Sequence, residues 1–113
     1  MTSDIVSDVK SIAPVFAQPL RDQTVLDGQS ATFTCKVTGS PDTVITWYKD
    51  DHLLPESEDF RQTYKDSVAT LVVDEVFNGD TGIYRCEAKN KAGCISVTSQ
   101  LTVQGMPFNV LKT

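Results

Sequence analysis

One histidine, one tryptophan and three cysteines among 113 residues are few, and each scarcity closes off a chemistry. A lone His52, with no nucleophile at a recognisable elbow, no glycine loop to cradle phosphate and no recognisable carboxylate pair in a pocket, gives nothing to run acid–base or covalent catalysis. A non-catalytic chain without cofactor is expected. No two cysteines stand in C-x-x-C spacing and His52 falls in a distant loop, so no zinc site is expected. Acidic residues do gather at Asp50, Asp51, Glu56, Glu58 and Asp59, but without the alternation and glycine of a calcium loop, which reads as a solvated turn.

Long apolar runs are missing too. A membrane helix needs about 20 consecutive apolar residues, and the opening MTSDIVSDVKSIA is broken by Asp4, Asp8 and Lys10 before any signal-peptide length is reached. Nor is there an Asn-x-Ser/Thr acceptor: Asn78, Asn90 and Asn109 are followed two residues on by Asp80, Ala92 and Leu111. Both absences point to the cytoplasm. Ten basic residues against fifteen acidic ones give a net charge of −5, and no Lys/Arg cluster exists. Nucleic acid and anionic membrane are therefore not expected as partners.

What is present is alternation. From Pro14 onward, short runs rich in Val, Ile, Thr, Phe and Tyr are punctuated by Gly, Pro, Asp and Asn, predicting strands over 15–20, 24–26, 30–37, 43–49, 60–64, 68–74, 82–89 and 94–103. Ala31, Phe33, Cys35 and Val37 share one face, and Thr32, Thr34 and Lys36 the other. The same period sets Ile45 with Trp47, Leu71 with Val73, Tyr84 with Cys86 and Ala88, and Leu101 with Val103. Antiparallel strands with one apolar face each need a second sheet to cover them, so the fold class is all-β, a two-layer sandwich in one domain. Such a body fills its interior with side chains.

Cys86 and Cys94 lie eight positions apart. A tight hairpin over 90–93 sets Lys89 opposite Cys94 and Cys86 opposite Val97, with Cys86 inward and Cys94 outward and too far apart to bridge. A bulge in the last strand is the alternative that turns Cys94 inward.

Cys35, Trp47 twelve positions later, and Asp80-Thr81-Gly82-Ile83-Tyr84-Arg85-Cys86 have the spacing of an immunoglobulin-type sandwich. More closely, the chain resembles the intermediate-set immunoglobulin domains of titin, twitchin, myosin light chain kinase and related muscle and cytoskeletal proteins. The residues that carry the likeness include Pro14-Val15-Phe16, Gly28, Gly39-Ser40-Pro41, Trp47-Tyr48-Lys49, Leu71, Asn90-x-x-Gly93 and Leu101-x-Val103. The resemblance implies that Cys35 and Cys86 face each other under Trp47, that the Tyr84 hydroxyl ties the preceding corner, and that Asp80 and Gly82 shape it. It leaves two states for the cysteine pair. A disulfide closing about fifty residues adds roughly 4 kcal/mol in a loop-entropy account, but the reducing compartment implied by muscle relatives favours buried thiols. Cys94 reads as an inert surface thiol, with a reactive thiol open to oxidation, glutathionylation or mixed-disulfide formation as the alternative, and only Lys89 is placed to lower its pKa.

The resemblance further implies residues 14–104 as the domain, 1–13 as a linker (with a helical turn through Ile5, Val9 and Ile12 as the alternative) and 105–113 as a tail. The implied function is a mechanical spacer and docking module of a sarcomeric or cytoskeletal protein, with other proteins as partners. Its load is carried by the ladder between the strand near Val25 and the last strand. The candidate docking face is Tyr48, Arg85, Glu87 and Lys89, with Ser96 and Thr98 beside them; pairing of an edge strand with a partner's extended segment is a second mode. The competing readings are an extracellular adhesion or receptor domain, which requires the disulfide, and a regulatory segment attached to a muscle kinase.

Overall fold

The protein's structure, a computed structural model, describes residues 12–40 and 42–105. Pro41, the helical-turn alternative before Ile12 and the tail beyond 105 lie outside the described residues. These hold nine strands: β1 (Val15–Gln18), β2 (Gln23–Leu26), β3 (Ala31–Thr38), β4 (Val44–Lys49), β5 (His52–Leu53), β6 (Phe60–Lys65), β7 (Val68–Val73), β8 (Gly82–Asn90) and β9 (Gly93–Gln104). A 3-10 turn, Asn78–Asp80, precedes β8.

Period-two alternation decides the layers. In β3 the residues Ala31, Phe33, Cys35 and Val37 are buried and their neighbours face water, and β7 and β8 repeat the pattern with Ala69, Leu71 and Val73, and with Tyr84, Cys86 and Ala88. One sheet runs β1-β3-β7-β6 and the other β2-β9-β8-β4-β5. Their inner faces meet in a core where the Phe33 ring stacks on Tyr84, centroids 4.7 Å apart, and tilts against Trp47 at 6.4 Å. Leu71, Leu101 and Val76 fill the remaining space, all with no exposed surface.

Three details depart from the strand expectations. β1 ends at Gln18 rather than at residue 20, because Pro19 has no N–H to extend the ladder; Leu20 is buried outside any strand. Not every pair is antiparallel: β2 runs parallel to β9, with Val25 level with Val103. And the stretch read as one long loop after Lys49 contains β5, folded back on β4 with Lys49 opposite His52. That hairpin turns through Asp50 and Asp51, at φ 50° and 68°. Two successive residues in the left-handed region are what a tight two-residue hairpin needs, and aspartate is among the few side chains that tolerate it. The β6–β7 turn repeats the solution with Asp66 and Ser67, at φ 53° and 68°.

Candidate interaction face

The register of the five-stranded sheet brings the predicted face together. Tyr48 on β4 lies opposite Arg85 on β8, Arg85 lies opposite Thr98 on β9, and Glu87 lies opposite Ser96. All project away from the core, because Trp47, Cys86 and Val97 take the inward positions between them. The Arg85 guanidinium stacks over the Tyr48 ring at 4.0 Å. Tyr48 Oη donates to Glu87 Oε1 at 3.4 Å, and Arg85 approaches Glu87 at 3.8 Å and Asp51 at 3.9 Å. Tyr48, Arg85 and Glu87 thus form one half-buried cluster of fixed geometry, with the exposed Lys89 beyond it. Hollows flank the cluster. One, of about 430 Å³, includes Val44, Thr46, Glu87 and Lys89; the other, of about 270 Å³, includes Asp51, Ile83, Arg85 and Thr98. Val44 is 61% exposed and Ile83 44% exposed, so an apolar side chain marks either end of the face. Neither was picked out in the sequence, because each stands where an ordinary strand residue stands.

The cysteines divide as the hairpin register requires: Cys86 faces Val97 and Cys94 faces Lys89. Cys35 and Cys86 are buried free thiols and Cys94 is an exposed one. The hydrogen bond between Cys86 and Cys35, together with burial, pushes the Cys86 thiol far above the ordinary thiol range, so it holds its proton. Cys94 corrects the expectation that only Lys89 tunes it. Arg85 also draws its pKa down, but partial desolvation and a hydrogen bond to Glu87 outweigh both cations and raise it.

Below the face, the corner before β8 is held by side chains that bond to backbone. Tyr84 Oη donates to Asp80 O at 2.6 Å, and Asp80 Oδ2 accepts from Phe77 N at 2.8 Å. Thr81 Oγ1 accepts from Val103 N at 2.9 Å, fastening the corner to β9. Gly82 is needed for space rather than for backbone freedom, since a Cβ there would stand 2.7 Å from Asp50 Oδ2. The Asp50 carboxylate occupies that spot to accept from Ile83 N at 2.9 Å, a bond that, with Lys49 beside it, holds its pKa below the usual carboxylate value. At the opposite end, Asn90 Oδ1 accepts from Ala92 N and Gly93 N, while its Nδ2 donates to Ile12 O at 2.7 Å and Thr43 Oγ1 at 3.1 Å. Among the described residues no group of three His, Cys, Asp or Glu side chains is placed to hold a metal ion.

A parallel β2–β9 strand pair, a tyrosine corner, and a tryptophan packed beside two facing cysteines define an immunoglobulin-type sandwich module. The chain belongs to the immunoglobulin I-set family, whose domain description matches residues 14–103. It is 38% identical to mouse myopalladin over 101 residues, covering 82% of this chain and 8% of that protein. To Drosophila titin it is 41% identical over 96 residues, 84% of this chain and a vanishing share of the relative. Turkey telokin is 33% identical over 104 residues, covering 91% of this chain and 68% of telokin. Among solved structures, an I-band fragment of titin superposes with a TM-score of 0.80 at 38% identity, over 82% of this chain and 33% of the fragment. A complex of titin with obscurin-like 1 superposes with a TM-score of 0.82 at 30% identity, over 87% of this chain and 99% of the matched one. The chain spans only a small part of myopalladin and titin, and it is homologous to muscle proteins as a structural or interaction module.

Proposed function

We propose that this chain is a non-catalytic spacer and docking module, one immunoglobulin domain of a larger sarcomeric or cytoskeletal protein in the cytoplasm. The observation that carries the mechanical part is the β2–β9 ladder, in which Gln23 to Leu26 run parallel to Leu101 to Gln104. Pulling the two ends of the domain apart loads these hydrogen bonds in shear, all together rather than one at a time. Asp22 extends the ladder by accepting from Gln100 N at 2.8 Å, and Asp27 N donates to Gln104 O at 2.9 Å. Docking is assigned to the outer face of Tyr48, Arg85, Glu87 and Lys89, where a stacked Tyr–Arg pair between apolar ends has the composition of an interaction hot spot. The titin complex with obscurin-like 1 supports docking as a role, by family likeness.

The domain is proposed as residues 14–104, with Cys35 and Cys86 carried as thiols. Counting free thiols in denatured, unreduced protein from its native source tests this against the receptor reading. Three alkylated cysteines are expected. A single label, on Cys94, would establish the core disulfide and overturn the intracellular assignment.

A further inference from the structure

The two sheets offer four edges, and three are blunted. β1 is a four-residue strand between Pro14 and Pro19 whose register shifts between Phe16 and Gln18. β5 is two residues long, and β2 is four. The remaining edge, β6, pairs with β7 without a bulge from Phe60 opposite Val73 to Lys65 opposite Val68, and contains no proline. An unbulged edge of this kind is a template for another strand. The two-residue turn after Lys65 makes Lys65–Val68 a hydrogen-bonded pair, so by alternation Phe60, Gln62 and Tyr64 direct their N–H and C=O groups away from β7. Ser57 takes up those of Phe60, donating to its carbonyl at 3.0 Å and accepting from its N–H at 3.2 Å. The groups of Gln62 and Tyr64 have no partner among the described residues.

Charge selects what adds there. The register stacks Lys36, Val68 and Lys65 in one row, Thr34, Thr70 and Thr63 in the next, and Thr32, Val72 and Arg61 in the third. In a chain of net charge −5 this outer face is basic; its acids lie at the margins, Asp66 in the turn, Asp59 before the strand, and Asp74 paired with Arg61 at 3.3 Å. A strand laid along β6 sets alternate side chains beside Arg61, Thr63 and Lys65. The intervening ones turn toward a hollow of about 180 Å³ bordered by Ile45, Trp47, Glu56, Gln62, Thr63 and Tyr64.

We propose that β6 takes up an extended segment of a partner protein, carrying carboxylates four residues apart on one face and apolar side chains between, through backbone bonds to Gln62 and Tyr64. This rests on the docking-module reading and adds to it a second, chemically distinct site. The probe is acetyl-Thr-Glu-Val-Thr-Val-Glu-Thr-amide, titrated into the ¹⁵N-labelled 113-residue chain, with a peptide carrying lysine at both glutamate positions as the control. The glutamate peptide is expected to shift and protect the Gln62 amide, and the lysine peptide to do neither. Tyr64→Pro removes one outward N–H while leaving the β7 ladder intact, and should weaken binding about tenfold, the loss of one ladder hydrogen bond. Lys65→Glu keeps the edge and, leaving one cation and one carboxylate on the outer face of β6, should erase most of the preference between the peptides. Equal binding of both peptides, no binding at millimolar peptide, insensitivity to Tyr64→Pro in a variant whose amide spectrum shows it folded, or sedimentation showing that β6 is covered by a second copy would each overturn the proposal. Shifts confined to Tyr48, Arg85 and Lys89 would overturn it as well, yet leave the docking-module reading standing.

Discussion

Replacing Tyr84 by phenylalanine removes one oxygen from the core and tests whether the corner it ties is a source of stability. Tyr84 has no exposed surface, and its hydroxyl makes a 2.6 Å bond to the Asp80 carbonyl. A neutral hydrogen bond of this kind contributes about 0.5–1.5 kcal/mol net, and leaving its acceptor dry adds to the loss. Asp80 is only half-buried, so water can reach the carbonyl and the second contribution is small. Tyr84→Phe should therefore cost about 1 kcal/mol, read as a fall of roughly 4–8 °C in Tm for a domain of this size. The urea m-value should not change, because the same surface is exposed on unfolding. The hydroxyl also leaves a pH signature. Burial, and then the charges of Asp80 and Asp50, raise the Tyr84 pKa above its ordinary value. Folded protein then holds this proton more tightly than unfolded chain, and the resulting stability is full below about pH 10 and lost as pH rises through and beyond it. The gap between wild type and Tyr84→Phe should accordingly narrow in urea titrations run above pH 10. An unchanged midpoint at neutral pH, or a gap that widens in alkali, would refute the reasoning.

Gly82→Ala should destabilise the wild-type protein but be nearly neutral in an Asp50→Ala background, because its obstacle is the Asp50 carboxylate; a urea double-mutant cycle reads the coupling. Ser67→Gly should stabilise by roughly 1 kcal/mol by relieving a left-handed serine in the β6–β7 turn, seen as a higher Tm. Asn90→Asp keeps the oxygen that accepts from Ala92 and Gly93 but loses the amide that donates to Ile12 and Thr43. It should speed hydrogen exchange at the Ile12–Ser40 contact while leaving the β8–β9 ladder protected.

Alternation made the sandwich legible, since a residue type repeated every second position states which face is wet, as β3 does through four buried and four exposed residues. The pairing of Cys86 with Val97 and of Lys89 with Cys94 followed from the length of one turn. β5 escaped notice because two aspartates in the left-handed region do the work that glycine usually advertises. The β2–β9 pairing followed from the family resemblance, but its parallel direction was hidden, because a strand's local pattern records its faces and not the direction of its neighbour. The candidate face was readable as a set of outward positions. Its cohesion was not, because the Tyr48–Arg85 stack and the half-burial of Glu87 depend on contacts across strands. Gly82 shows the same limit, with a need for space set by Asp50, thirty-two positions earlier in the chain.

Force spectroscopy on this domain, placed between identical reference domains, bears most directly on the proposed role as a mechanical spacer. Asp27 N bonds to β9, so alternation directs the Val25 N–H to β9 as well, and Val25→Pro deletes a bond from the sheared ladder. Tyr64→Pro, on an edge that carries no load between the ends, serves as the control. Val25→Pro is expected to lower the unfolding force and Tyr64→Pro to leave it near wild type. Equal forces for wild type and Val25→Pro, or an equal drop for both variants, would contradict the account.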